Sequence, residues 1–554
     1  MKNYVHNTLI KVSVLPALLC VTPATADTIT ERQVITTNTT YNNAVANNIA
    51  STVANNGAVF YMQDVPNVVL AFEGPSSFSG NSLNNGGMGG VIGNGWLSSV
   101  SGSGYTQGGK IVFNGPTTFD SNSTNNPNGA GAIFNYGLGN ATSPDIIFYG
   151  TATFNNNKAT APMNSVHAGG GAINHRNGMI VFNDSATFNG NESASQGGAI
   201  ISAGDIIFNG ETVFDSNTAS SSGGALSMKG GNVTFDQNAS FTKNSAAGAS
   251  AIYVTESANN LTFKGNANFS ENTGVGTLLN NSQSATVNFE KGATFNNNTN
   301  SSNGALVNAG IVNVTNGNLT FTNNTGSNGG GLKNSGTVTT NTTGNILFST
   351  NTTTNSAGAL DNGGTIILDA TKVSFLDNSS DAGYAGAIFN AGDLTINGNG
   401  HTIDGNNQAR IFQITGSNIN VILKDLILIN GKTSGNGGAI SGKCTAVNCT
   451  FTHNTAAKGG ALYKASAIDC KFDRNSAGSG GAIFIDAKNI NIENCTFENN
   501  KAPIGLDFYA HEGCKITFIG LKFSTLWLTN QNSTNKLINA HGLNYLDAAA
   551  WNDE

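Results

Sequence analysis

The feature that most limits what this chain can fold into is a repeat of about 26 residues. Residues 197–222 form one unit, and Gly223-Gly224-Ala225-Leu226 begin the next. Each unit holds short apolar runs bounded by Gly or Asn, such as Ile206-x-Phe208, Val213-Phe214 and Ala199-Ile200. The runs are β-branched, aromatic or small, and none is long enough for an ordinary helix, so they read as strands. One such unit cannot bury its own apolar side. Stacked units pair their strands in parallel and share one continuous core. The spacing therefore predicts an all-β solenoid, a single parallel β-helix.

Two marks recur. Fourteen copies of Phe-x-x-Asn keep the repeat spacing, from Phe78/Asn81 through Phe214/Asn217 and Phe295/Asn298 to Phe451/Asn454, Phe472/Asn475 and Phe497/Asn500. Ile403/Asn406 and Ile427/Asn430 keep the spacing with an aliphatic residue. Gly-Gly-Ala-[Ile/Leu] appears in full at 170, 197, 223, 437, 459 and 480, with looser copies between. A Phe at one place in every coil stacks along the axis and buries a large area. The Asn is expected where the chain bends, tolerating left-handed angles and bonding its amide to the next coil. Gly197 and Gly198 allow positive φ and close backbone approach, and Ala199 and Ile200 fill the corner behind them. A second Phe lies six residues before the first in many coils, as Phe208 before Phe214, with a turn between that lets both face inward.

In their alternation these marks resemble the repeats of chlamydial polymorphic outer membrane proteins and related autotransporter passengers. The segment Asn448-Cys449-Thr450-Phe451-Thr452-His453-Asn454-Thr455 with Gly459 to Leu462 is also similar to archaeal adhesin-like proteins. The resemblance covers roughly residues 57–500. It implies a right-handed parallel β-helix, exported, displayed at a surface and often engaged in adhesion.

Sixteen copies of the first mark at ~4.8 Å each predict a rod of roughly 75–80 Å. Charged residues are 10% of the chain, against about 25% in an average soluble domain. The surface is one of amides and hydroxyls. With a net charge of −7 and no basic run, nucleic acid is an unsuitable partner.

Residues 1–26 read as a signal peptide. Lys2 and Lys11 supply the basic region, 12–21 the apolar run, and Ala24-Thr25-Ala26 the cleavage site before Asp27. The apolar run is too short to span a bilayer, and the bulky Leu19 before Cys20 argues against a lipoprotein site. Residues 27–56 are expected to cap the first coil, 57–520 to form the β-helix, and 521–554, with Trp527 and Trp551, to cap its end. That last stretch is too short for an autotransporter barrel. No transmembrane segment is expected in the mature chain, and a separate outer-membrane transporter is one export route. Asn126-Pro127-Asn128-Gly129 resembles a motif of two-partner secretion domains but is also an ordinary turn and carries little weight.

The mark spacing starts at 41 residues, settles at 26–28 and ends at 21–25. The extra length early on predicts external loops within 79–169, carrying Trp96, Tyr105, Tyr136 and Met163. Loops on a rigid scaffold commonly carry function, so these are the candidate contacts with a host-cell or extracellular glycan or protein surface.

An enzyme remains the alternative. Residues 396–430 resemble coils of polysaccharide-active β-helix lyases and hydrolases. Such chemistry needs carboxylates converging on one water or a calcium site. Asp361, Asp377, Asp404, Asp425 and Arg410 are candidates but form no tight motif. The seven His, among them His401 and His453, show no metal-ligand spacing, and no cofactor motif is present. Cys449, Cys470 and Cys495 each stand two residues before a marked Phe, so period two puts them on the same inward face. They suit a packing ladder. A Cys444–Cys449 disulfide is the best candidate bond in an oxidising compartment, and Cys514 stands apart.

Overall fold

The computed structural model describes residues 59–511 except 63–66, 85–87, 98–104, 107, 138–144, 163–167, 256–259, 382–384 and 417. It also describes the backbone of strands within 27–47 and 515–552. The chain divides into two compact units, Met1–Glu290 and Lys291–Glu554. Each is a parallel β-solenoid, and the described residues contain strands, bridges, turns and bends but no helix.

A regular coil of the first unit has four short strands. In one coil they are Ile200–Ser202, Asp205–Phe208, Thr212–Asp215 and Thr218–Ala219. Each pairs in register with its counterpart one repeat on: Ile200 with Leu226, Phe208 with Phe235, Phe214 with Phe241 and Ala219 with Ala246. Among the described residues the short fourth wall forms a ladder of eight strands in the first unit and four in the second, with a separate pair, Thr455–Lys458 and Ser476–Ser479, further along, and the solenoid makes about twelve turns. That is a minor difference from the sixteen expected. Strands as early as Asp27–Thr28 and Thr39–Asn42 already pair in parallel with Phe60–Met62 and Ser76–Ser79. At the other end Lys515–Leu528 pairs antiparallel with Lys536–Asn552.

The core is two columns of rings. Phe208 stacks on Phe182 at 4.8 Å and on Phe235 at 4.7 Å, while Phe214 stacks on Phe188 at 4.7 Å and on Phe241 at 5.0 Å. Phe208 and Phe214 meet edge to face at 6.1 Å, so the columns lock across the coil. All six rings are fully buried.

The marked Asn residues form a ladder beside the rings. The backbone N–H and the Nδ2 of Asn191 both donate to Oδ1 of Asn217, which donates in the same way to Asn244. The second Nδ2 hydrogen of Asn217 goes to the carbonyl of Phe188. These amides are wholly buried and their hydrogen-bonding capacity is used. The ladder runs from Asn81 to Asn272 in the first unit. In the second it runs from Asn298 to Asn378 and again from Asn454 to Asn500.

Two expectations need correction. The left-handed residue is not the ladder Asn but the one before it: φ is 56° at Ser216, 53° at Lys243, 58° at Glu271 and 53° at Thr350. A side chain that must point inward to bond cannot also sit at the apex of the bend, so the preceding residue takes the strain. Nor does Ile427/Asn430 continue the mark. Leu428, not Ile427, is in register with Phe451, and Gly431 donates its N–H to Asn454 where an Asn would otherwise stand. A Cβ on Gly431 would come within 2.2 Å of the Gly438 carbonyl, which leaves no room for an amide there.

Candidate functional surfaces

The repeat residues are scaffold. Ala199, Ile200, Phe295, Phe451, Asn454, Phe472 and Asn475 are fully buried, with Phe497 and Asn500 close behind. Gly197 has φ +62°, and a Cβ on Gly198 would lie 1.9 Å from the carbonyl of Gly224 in the next coil. None of these side chains is available to a ligand.

The early insertions are more specific than loops. Ser82–Asn84 and Ile92–Asn94 belong to the solenoid ladders. What leaves the wall is a small antiparallel hairpin, in which Trp96 pairs with Thr106 and Leu97 with Tyr105. Its base is clasped by Asn94, whose Nδ2 donates to the carbonyl of Gly109 while its Oδ1 accepts from Gly109 N–H. Gly95 enters the hairpin at φ +81°. Tyr136 is not on a loop. It ends the strand Ile133–Tyr136, half-buried, at a register shift opposite Asn177. Met163 lies outside the described residues, as do Ala24 and Ala26. Asp27 pairs with Phe60 through its backbone.

The carboxylates proposed for the enzyme reading are distributed over several walls. Asp377 and Asp404 come together on Asn406, whose Nδ2 donates to Asp377 at 2.7 Å and whose backbone N–H donates to Asp404 at 2.8 Å. Asp361 is on another wall, in register with Lys333, and burial raises its pKa. Asp425 lines a shallow groove of about 340 Å³ with Asn399, Gly400, Leu426, Ile427, Asn448 and Thr450. The groove exists because residues 398–400 bulge out where the register slips between Asn397/Lys424 and His401/Leu426. Arg410 is buried and holds the carbonyls of Asn436 and Gly437, both at 3.0 Å. It braces a turn. His453 is an exposed left-handed turn residue. His401 is half-buried on the strand Asp393–Asp404 and contacts the Thr371 carbonyl.

Cys449, Cys470 and Cys495 form the expected inward column, and the backbone N–H of Cys449 donates to the Cys470 sulfur at 3.4 Å. The Cys444–Cys449 disulfide is not formed, and both are free, buried thiols. Burial pushes the Cys444 thiol far up, and the neighbouring Cys470 with burial does the same to Cys449. Such thiols are inert packing groups.

Three arrangements escaped the sequence reading. A second amide ladder runs through Asn308, Asn334, Asn362 and Asn390, each bonded to the next at 2.7–2.9 Å. Its signal is legible afterwards: Asn two residues past the Ile or Leu of the glycine mark, then Gly two further on. The same position in the first unit holds Asn94, Asn135 and the fully buried His175. An outward ring ladder joins Tyr463, Phe484 and Tyr509, with Lys464 over Tyr463 and Lys458 over Phe484. Aromatic residues directly after Leu462, Ile483 and Phe508 mark it.

Fold and surface together define a parallel β-solenoid of stacked short repeats, fitting a surface-exposed, passenger-like protein. More particularly, residues 211–229 and 448–464 match the Chlamydia polymorphic membrane protein repeat. Each match spans one Phe-x-x-Asn and one Gly-Gly-Ala-Leu, the two marks that recur along the chain. No curated protein and no solved structure matches the chain.

Proposed function

We propose that this is an exported interaction protein of adhesin type, displayed at the outer membrane or released from it. In this reading the solenoid is a spacer, and contact with a host-cell or extracellular glycan or protein is made by what projects from its first coils. The observation that carries the reading is the combination of the family repeat with a scaffold whose repeat residues are all turned inward. The hairpin bearing Trp96 and Tyr105 is the best candidate contact, because binding energy concentrates in a few aromatic or Arg residues. Export by the 1–26 signal and display through a separate transporter belong to the same proposal.

The test is deletion of residues 96–107, which leaves Asn94 to clasp Gly109 directly. Binding of the purified chain to epithelial cells should fall at least tenfold while its β-rich circular dichroism is unchanged. Unaltered binding would remove the hairpin from the reading. For the enzyme alternative, a glycan panel should show no turnover; turnover lost in Asp404→Asn or Asp377→Asn would favour that alternative instead.

A further inference from the structure

A second buried polar network in the first unit ends on His175. Its direction can be followed atom by atom. Gly109 N–H donates to Asn94 Oδ1 at 2.8 Å, and Asn94 Nδ2 donates to Asn135 Oδ1 at 2.7 Å. Asn135 Nδ2 then faces His175 Nδ1 at 3.0 Å, and its other contact is the carbonyl of Asn177. On the far side of the ring, Nε2 lies 3.2 Å from the carbonyls of both Gly178 and Asp205. Carbonyls only accept, so Nε2 carries the hydrogen. Nδ1 must therefore be the acceptor for Asn135, and the imidazole is neutral.

A proton on Nδ1 would set a donor against the Asn135 amide. Flipping that amide would turn its nitrogen onto Asn94, and flipping Asn94 would turn a nitrogen onto the N–H of Gly109. The backbone at Gly109 cannot reverse, so the whole column is locked in one polarity. The surroundings give the proton no other welcome. Asp205 is the charged group that favours it, yet its carboxylate already accepts from Asn232 N–H at 2.7 Å. Asp145 accepts from Met179 N–H across the same turn, and Arg176, next on the His175 strand, reaches toward Asn128. A Cβ on Gly204 would sit 2.4 Å from Nε2, so the ring packs directly against the Gly204 backbone.

We propose that His175 is an acid-sensitive latch on the wall formed by Ile92–Asn94, Ile133–Tyr136 and Ile173–Asn177, the wall from which the Trp96–Thr106 hairpin projects. At neutral pH the unprotonated ring completes the amide column. In acid the column must break for the ring to be protonated, and these coils open ahead of the rest of the unit.

The sign follows from linkage. Burial lowers the His175 pKa from 6.5 to about 4. The opened state therefore binds the proton more readily, and the stabilisation is complete above pH 6.5 and lost as pH falls toward 4. The test is hydrogen exchange on the full chain at pH 7.5 and pH 5, corrected for intrinsic rates. Protection in 92–97, 133–137 and 173–182 should fall about 30-fold at pH 5 relative to 206–242. His175→Asn, which continues the column with the residue found at 94 and 135, should abolish that difference. Equal losses in the wild type and the variant would overturn the proposal. If the variant does not fold, the ring's own titration in the wild type decides. A midpoint near 4 supports the latch, and one near 6.5 overturns it.

Discussion

The coils around 182–242 and those around 444–500 solve the same problem with different side chains. In the first group two Phe columns face each other, and residues 209–211 form the turn between the strands of Phe208 and Phe214. In the second, one Phe column remains, with Phe472 stacked at 4.9 Å on both Phe451 and Phe497. The inward places opposite it are taken by Ala446, Ala467, Cys449 and Cys470. The turn shrinks to a single left-handed residue, Asn448 at φ 51° or Asp469 at φ 55°. A coil of 21–25 residues encloses less volume than one of 26–28, so its core must be built from smaller groups at the same packing density. Coil length and core size are one variable, and cysteine is here a measure of cross-section, not of redox chemistry.

The largest effect should come from emptying the wider core. Phe208→Ala removes a ring held by two stacked and two edge-on neighbours, which rigid columns cannot collapse to refill, and should cost about 4 kcal/mol. Phe472→Ala, in the narrower coil, should cost about 1 kcal/mol less, because smaller neighbours lose fewer contacts. In a solenoid the loss stays near the site. Native-state hydrogen exchange should place it at 182–242 and at 450–498 respectively. Equal costs would show that cross-section does not govern the energetics.

A middle-sized effect sharpens the comparison through the amide ladder, which both regions share. Asn217→Ala leaves the N–H and Nδ2 of Asn191 without their acceptor and the Phe188 carbonyl without its donor. Leaving such buried groups unpaired should cost about 3 kcal/mol. Asn475→Ala should cost about as much, since it breaks the same bonds. Denaturant melts followed by local exchange would compare the pair, and a clearly smaller loss at 475 would mean that the narrower coil relaxes around the gap.

Most of this architecture was legible in the sequence because it repeats. Phe-x-x-Asn and Gly-Gly-Ala-Ile announce buried columns at any position where neighbouring coils carry them too. Legibility failed where the repeat changed length. Ile427 has the right spacing from Asn430, yet Leu428 enters the core, because the left-handed Asp425 at φ 53° shifts the phase of its own strand between Leu423 and Leu428, and a period of two reverses every side chain beyond it. It failed again at His175, whose role depends on Asn135 one coil earlier and on Gly109 beyond that. Those residues are 40 and 66 positions away in the chain. The candidate contacts were half legible: extra length located the Trp96 hairpin, but Tyr136 turned out to finish a strand.

The smallest prediction concerns the turn before each ladder Asn, where the two regions also agree. Glu271 sits exposed at φ 58°, and the same place three coils earlier is held by Gly190 at φ 63°. An L-residue there costs roughly 1–2 kcal/mol, whereas glycine adopts the angle freely but gives up roughly 0.5–1 kcal/mol of chain entropy on folding. The balance favours glycine by about 0.5 kcal/mol. Glu271→Gly should therefore slow exchange slightly in 267–274, and Gly190→Ala should speed it in 186–193. The side chain of Glu271 forms none of the ion pairs found among the described residues, so its removal should add no opposing loss. Were Glu271→Gly destabilising instead, the bend would be held by something other than backbone preference, and the ladder Asn would be the element that imposes it.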